Sequence, residues 1–262
     1  MLWRRLFPFG IVPKDPQVYR IGSWSYGSLP RVEVTTAFPG IEEVDVIVPR
    51  AYDRVQNVSM DPFESLVLGS LVKFTGARRI LEIGTYDGNT TLNLAANSPD
   101  DATIVTVDLP AHWNRRDFES RVTETDLNIT DPALTGAQFK NTVYAAKINQ
   151  VFGDSTKLDW TALRGPFDLV FIDGCHAYEF VHQDTANALR HCRPGGLIVW
   201  HDYGMLKDVS RVVDETARQR KVCALQGTRL AIGVQVGIGG SLTAPPLPHH
   251  RTCGSASGGS AG

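Results

Sequence analysis

Only 4 cysteines occur in 262 residues, and no two of them form a C-x-x-C pair. Cys175, Cys192, Cys223 and Cys253 are widely scattered. That spacing argues against a disulfide framework or a zinc knuckle and suits reduced, mostly buried thiols in a cytoplasmic protein. No apolar run approaches the roughly 20 residues of a membrane span. Neither sign of charge dominates: 26 Lys and Arg stand against 28 Asp and Glu, for a net charge of −2. A protein that binds nucleic acid through a broad basic field is therefore not expected. Collagen, coiled-coil and bulk-disorder classes are excluded by 42% hydrophobic and 21% charged residues, values ordinary for a globular chain able to bury a core. The length corresponds to one large domain or two small ones.

The two ends differ from the middle. Arg4-Arg5 before Leu6-Phe7 weakly resembles a twin-arginine export signal, but Pro8, Pro13, Lys14 and Asp15 interrupt the apolar stretch such a signal requires. The reading is a short arm that packs on the protein, a partner subunit or a membrane surface. Residues 1–60 are expected to form an accessory segment, a lid or an oligomer contact, with a turn at Phe38-Pro39-Gly40-Ile41 and a short strand over Val44 to Val48. From about Gly239 the chain turns to Pro245-Pro246, Pro248 and then Gly, Ser and Ala through Gly262. That composition predicts a flexible tail over 239–262, with His249-His250 solvated rather than holding a metal.

Residues 61–238 alternate helical and strand-like patterns. Helices are expected over Pro62 to Phe74, over Asn89 to Asn97, along the face Tyr178, Val181, Thr185, Ala188 and Leu189, and along Val209, Val212, Val213 and Ala217. Pro194-Gly195-Gly196 is read as the end of the third of these. Strands are expected over Arg79 to Gly84, Thr103 to Leu109, Ile148 to Phe152, Phe167 to Ile172 and Leu197 to Trp200. A hairpin over Val222 to Gln226 and Leu230 to Val236 would close the sheet. Strand and helix in alternation imply an α/β fold: a doubly wound, Rossmann-like sheet, mostly parallel with an antiparallel last strand, and helices on both faces. Ligands in such folds bind beyond the carboxyl ends of the strands. Asp108, Asp154, Asp173 and Asp202 all fall at strand ends, so they would share one rim.

Leu81-Glu82-Ile83-Gly84-Thr85-Tyr86-Asp87-Gly88 carries the most chemistry. Gly84 permits a tight strand-to-helix turn and Gly88 a close backbone approach at the helix start. A dinucleotide fingerprint would place a glycine where Tyr86 stands, and that glycine is what lets a pyrophosphate approach the chain. A nicotinamide oxidoreductase is thus the weaker enzyme reading, and Asp108, suited to a ribose diol in either case, does not discriminate.

The E-x-G-x-x-x-G segment resembles motif I of the class I S-adenosylmethionine-dependent methyltransferases. Three further segments carry the likeness: Gly153-Asp154-Ser155, Phe171-Ile172-Asp173-Gly174-Cys175-His176-Ala177-Tyr178, and Pro194-Gly195-Gly196 through His201-Asp202-Tyr203. Together they resemble the branch containing macrolide and sugar O-methyltransferases and cephalosporin-hydroxylase-like proteins, over about residues 61–236. The resemblance implies the strand order 3-2-1-4-5-7-6 and S-adenosylmethionine as cofactor. It implies that Glu82, Gly84 and Gly88 line the methionine part, that Asp108 accepts the ribose hydroxyls, and that Asp154 and Ser155 face the adenine edge. Ser155 as a helix cap and Glu82 as a partner of Arg79 are the structural alternatives.

Methylating a hydroxyl requires its proton to be removed or its pKa lowered, by a base or by a metal. The positions that hold metal in relatives are Asp173, His201 and Asp202 here. An imidazole at the middle position disfavours magnesium and suits manganese, iron or zinc. Alternatively His201 or His176 is the base and no metal binds. His112, His182 and His191 are read as surface or packing residues. The 110–147 segment, with Trp113, Arg115, Arg116, Phe118 and Phe139, is a candidate lid, specificity element or dimer contact. The expected acceptor is a small molecule: a sugar, polyketide or phenol. The rival outside the enzyme class is a binding or scaffold protein on a methyltransferase fold.

Overall fold

The computed structural model describes residues 26–50, 60–110 and 134–235. The expectations for the arm before Tyr26, for His112, Trp113, Arg115, Arg116 and Phe118, and for the tail lie outside the described residues.

Among the described residues, eight strands form one sheet: β1 (Arg31–Val32), β2 (Arg79–Ile83), β3 (Thr103–Asp108), β4 (Ile148–Phe152), β5 (Phe167–Ile172), β6 (Cys192–Trp200), β7 (Val222–Leu225) and β8 (Ala231–Val234). Across the sheet they run β1-β7-β8-β6-β5-β2-β3-β4. Counted from Arg79, that order is 3-2-1-4-5-7-6. β8 is antiparallel to both β6 and β7, and every other pairing is parallel. The helices are α1 (Val34–Ala37), α2 (Pro62–Thr75), α3 (Asn89–Asn97), α4 (Tyr178–His191) and α5 (Lys207–Ala217).

The central strands are apolar on both faces because both are covered. In β5, Leu169 and Phe171 pack with Leu68, Leu71 and Leu94 from α2 and α3. Val170 and Ile172 pack on the other face with Val181 of α4 and Val209, Val212 and Val213 of α5. The same alternation sends Leu197 and Val199 of β6 one way and Ile198 and Trp200 the other. No helix among the described residues is long and apolar enough to cross a membrane.

Two local expectations are corrected. Val44 to Val48 forms no strand. Its backbone is held by a side chain instead: Ile47 N–H donates to Asn97 Oδ1 at 2.9 Å, and Asn97 Nδ2 donates back to Ile47 O at 2.9 Å. Pro194-Gly195-Gly196 does not end α4, which stops at His191; it lies within β6, where pairing with β5 shifts register between Phe167 and Leu169. A side chain at Gly196 would meet Asp168 O at 2.8 Å, so this glycine permits close strand contact rather than a helix stop. The turn around Pro39 and Gly40 forms as expected. β1, too short to leave a sequence pattern, adds an eighth strand at the edge of the sheet.

Candidate active site

The turn after β2 is built against β5. A Cβ on Gly84 would lie 2.0 Å from the carbonyl oxygen of Asp173, and Gly84 has φ +98°. Asp173 N–H in turn donates to Ile83 O at 2.8 Å. Only glycine lets these two strand ends meet so closely. Tyr86 adopts φ 45°, a left-handed conformation uncommon for a bulky residue and found where surroundings over-determine it. Its carbonyl accepts from Gly136 N, and that of Asp87 from Gln138 N, both at 2.8 Å. The segment around Gly136 therefore braces the loop.

Asp108, the last residue of β3, also serves this loop. Its Oδ2 accepts the N–H groups of Thr85 (3.1 Å) and Tyr86 (2.7 Å), and its Oδ1 accepts its neighbour Leu109 (2.7 Å). Burial pushes its pKa up against the opposing pull of these backbone bonds. A carboxylate has about four acceptor positions, so one is left on Oδ1 for a ligand hydroxyl.

Glu82 is fully buried. Its Oε2 accepts from the hydroxyls of Thr106 (2.6 Å) and Thr91, while Oε1 is buried without a hydrogen-bond partner. Arg79 does not pair with it; that guanidinium reaches the carbonyls of Leu163 and Arg164. Burial drives the Glu82 pKa up to about 8, outweighing the two hydroxyl bonds. Between the ordinary carboxyl range and that value, the folded state keeps a proton the unfolded chain has lost, so stability falls as pH rises through this window. Glu82→Gln should remove that loss, and urea denaturation at about pH 5 and pH 8 would read it as a flatter pH dependence. An equally steep dependence in the variant would assign the loss to another group.

Asp154, after β4, closes its own turn by accepting from Thr156 N (2.9 Å) and Thr156 Oγ1 (2.6 Å). The helical turn that follows, Trp160–Leu163, is capped by Asp159 and not by Ser155. Ser155 hydrogen-bonds Asp184 of α4, whose buried carboxyl is raised to about 7 by desolvation.

Asp173, His201 and Asp202 come together at the ends of β5 and β6, with ligand-capable atoms all within 4.8 Å of one another. His201 Nδ1 lies 3.0 Å from Asp173 Oδ1 and 3.5 Å from Asp202 Oδ1. His176 joins them, its Nε2 3.2 Å from Asp202 Oδ2 and 3.9 Å from Asp173 Oδ1. Asp173 does not cap α4, whose first turn is preceded by Ala177 without a side-chain cap. Asp202 has φ 56°, a second strained position at the same rim.

Two partners were not legible in the sequence. Glu64, in the first turn of α2, places Oε2 3.1 Å from His201 Nε2. Arg229, in the turn before β8, donates to Glu64 Oε2 through Nη2 (2.7 Å), to Glu64 Oε1 through Nε (3.1 Å) and to Asp202 Oδ1 through Nη1 (2.9 Å). Burial would depress His201 and raise Glu64. The facing charges win in both cases: His201 is lifted to about 10 by Asp173, Asp202 and Glu64, and Glu64 is lowered to about 2 by His201 and Arg229. Burial is likewise outweighed at Asp173 and Asp202, which stay below the usual carboxylate range chiefly because of His201. Asp61-x-x-Glu64 is a capping box, which signals a helix start but not that its glutamate reaches a histidine 137 residues away. Of the other histidines, His182 stacks on Tyr178 at 5.7 Å and His191 lies against Trp160 at 5.6 Å, both packing roles.

Residues 81–203 match the family described as a methyltransferase domain. The matched span runs from Leu81 in β2 to Tyr203 after β6 and is similar to a methyltransferase domain. A protein of Mycolicibacterium vanbaalenii, described provisionally as an O-methyltransferase, is 27% identical over 185 residues, covering 70% of this chain and 72% of that protein. The crystal structure of cofactor-bound Rv0187 from MTB has a TM-score of 0.50 and 19% identity, covering 89% of this chain and 95% of that one. The SAH-bound methyltransferase PaMTH1 of Podospora anserina gives 0.50 at 12% identity, covering 87% and 99%. These two likenesses are likenesses of fold. Glu64 and Arg229 lie outside the span matched as a methyltransferase domain, whereas Asp173, His176, His201 and Asp202 lie within it.

Proposed function

We propose that this protein transfers a methyl group from S-adenosylmethionine to a hydroxyl oxygen of a small molecule (a sugar, polyketide or phenol), assisted by a divalent metal held by Asp173, His201 and Asp202. The carrying observation is the orientation of His201. Its Nδ1 faces two carboxylates, while its Nε2 is engaged by Glu64. A histidine whose far nitrogen bonds a carboxylate is the usual form of a metal-ligating imidazole. The donor set of one nitrogen and two carboxylates fits manganese, iron or zinc better than magnesium. When bound, S-adenosylmethionine supplies an electrophilic methyl carbon, and the metal lowers the pKa of a nearby hydroxyl.

The chain's own residues do the rest. Asp108 offers its remaining acceptor position to a ribose hydroxyl, Gly84 and Gly88 let the loop close against Asp173 and Phe139, and Glu82 lies at the end of β2 just before that loop, held by Thr91 and Thr106. Asp154 and Ser155 stand at the adenine edge. His176 is the better-placed proton acceptor: it is the more accessible histidine, with 18% side-chain exposure against 4% for His201. His201 has both nitrogens committed to carboxylates. A second reading drops the metal and keeps His176 as base; the 3.2 Å approach of its Nε2 to Asp202 Oδ2 favours it.

Asp108→Ala should weaken S-adenosylhomocysteine binding by roughly 10- to 100-fold, the loss of one charge-assisted hydrogen bond of about 1.5–3 kcal/mol. Calorimetry on the wild type and variant reads this directly. No binding of S-adenosylhomocysteine, with tight binding of a nicotinamide dinucleotide, would move the protein to the oxidoreductase class.

A further inference from the structure

The chain from Tyr26 to Val32 lies against the loop that carries Asp202. Tyr26 N–H donates to Gly204 O at 3.0 Å. Gly27, at φ +87°, sits on the ring of Tyr203 so closely that a Cβ there would lie 2.4 Å from the phenolic oxygen. Leu29 N–H donates to that oxygen at 2.8 Å, and the hydroxyl donates to Asp214 Oδ1 of α5 at 2.7 Å. Ser28 joins the same carboxylate through its N–H (3.2 Å) and Oγ (2.9 Å). β1 then pairs with β7, and Arg31 Nη1 donates to Thr228 O at 2.9 Å, one residue before Arg229.

Tyr203 is therefore enclosed: 1% exposed, with its ring under Gly27, its hydroxyl between Leu29 and Asp214, and its N–H donated to Arg229 O at 2.9 Å. It directly follows Asp202, whose left-handed backbone conformation (φ 56°) aspartate tolerates better than most residues but still adopts at a cost that a surrounding clamp offsets. The Asp202 carboxylate is fixed independently by Arg229. Residues 26–32 and 203 thus grip the backbone on one side of the strained residue, and Arg229 grips its side chain.

We propose that residues 26–32 and Tyr203 form a latch that keeps Asp202 in its left-handed conformation, making Tyr203 a positioning residue for the Asp173–His201–Asp202 cluster. The consequence for metal binding rests on the function proposed above; the latch itself does not. It assigns the segment preceding the methyltransferase domain a part in building the catalytic rim.

Residue-resolved amide exchange on the full chain tests this. Tyr203→Phe removes the phenolic oxygen and keeps the ring. Exchange should rise at least tenfold at Leu29 and, together with it, at Met205 and Leu206, whose N–H groups bond Asp202 O at 3.1 and 3.0 Å. Ile83 and Ile172 should be unaffected. Ser28→Ala, distant in sequence from the loop, should shift the same amides in the same direction by less and guards against a Tyr203→Phe variant that does not fold. Faster exchange at Leu29 with Met205 and Leu206 unchanged, or no change at any of the three, would overturn the latch. Mn2+ titration of Tyr203→Phe should show about tenfold weaker binding with unchanged S-adenosylhomocysteine affinity. Wild-type protein that binds no Mn2+ would sink the metal reading and leave the exchange result to judge the latch.

Discussion

Asp173→Asn is expected to weaken Mn2+ binding by more than about 10²-fold while leaving S-adenosylhomocysteine affinity nearly unchanged. Partners in the outer shell of a metal already cost roughly 10- to 100-fold when removed, and a direct carboxylate ligand supplies charge as well as a bond. Asp173 is the shared member of the cluster, 3.0 Å from His201 Nδ1 and 3.9 Å from His176 Nε2. Its side chain is spent on these contacts, whereas its backbone carbonyl abuts Gly84. Replacing only the carboxylate should therefore spare the cofactor loop. Manganese titration followed by calorimetry checks both halves without an acceptor substrate. Unchanged Mn2+ affinity would remove Asp173 from the ligand set. With an acceptor in hand, turnover indifferent to chelation would favour the His176 base; His176→Ala should then cost about 10²–10⁴-fold in rate.

What the sequence revealed and what it hid divide along a physical line. Strands β2 to β5 and helix α3 were legible because each carries a local pattern: an apolar run ended by an acid, or a helical period ended near Pro99. The convergence of Asp173, His201 and Asp202 was legible because parallel strands put their carboxyl ends on one rim. Side-chain direction at that rim was not. Asp108 bonds the loop after β2 and Asp154 closes its own turn, which strand position alone does not reveal. Glu64 and Arg229 reach the site from a helix and a turn far away in sequence, through contacts without periodicity. β1 has two residues, too few for any pattern, and the 44–48 segment has a strand's composition but no strand beside it to pair with.

Glu64→Ala tests the largest of these hidden contributions. Glu64 is 2% exposed and receives the guanidinium of Arg229 and the Nε2 edge of His201. Removing one partner of a buried ion pair leaves the other charges without compensation, and such changes cost about 3–5 kcal/mol. For a domain of this size that is a fall in melting temperature of roughly 6–20 °C. Glu64→Gln keeps the shape and one acceptor, so it should fall less. The acid limb offers a second readout. Although burial opposes it, the Glu64 pKa is depressed to about 2, so its contribution is fully present above the ordinary carboxyl pKa and is lost as pH falls toward that value. Both variants should lose less stability than the wild type between about pH 5 and pH 2. A drop below about 2 °C in Glu64→Ala would mean that Arg229 shifts its charge onto Asp202, already 2.9 Å from Nη1. The pair would then be redundant for stability, and a weakened Mn2+ affinity in Glu64→Ala would be the surviving sign that Glu64 acts through the orientation of His201.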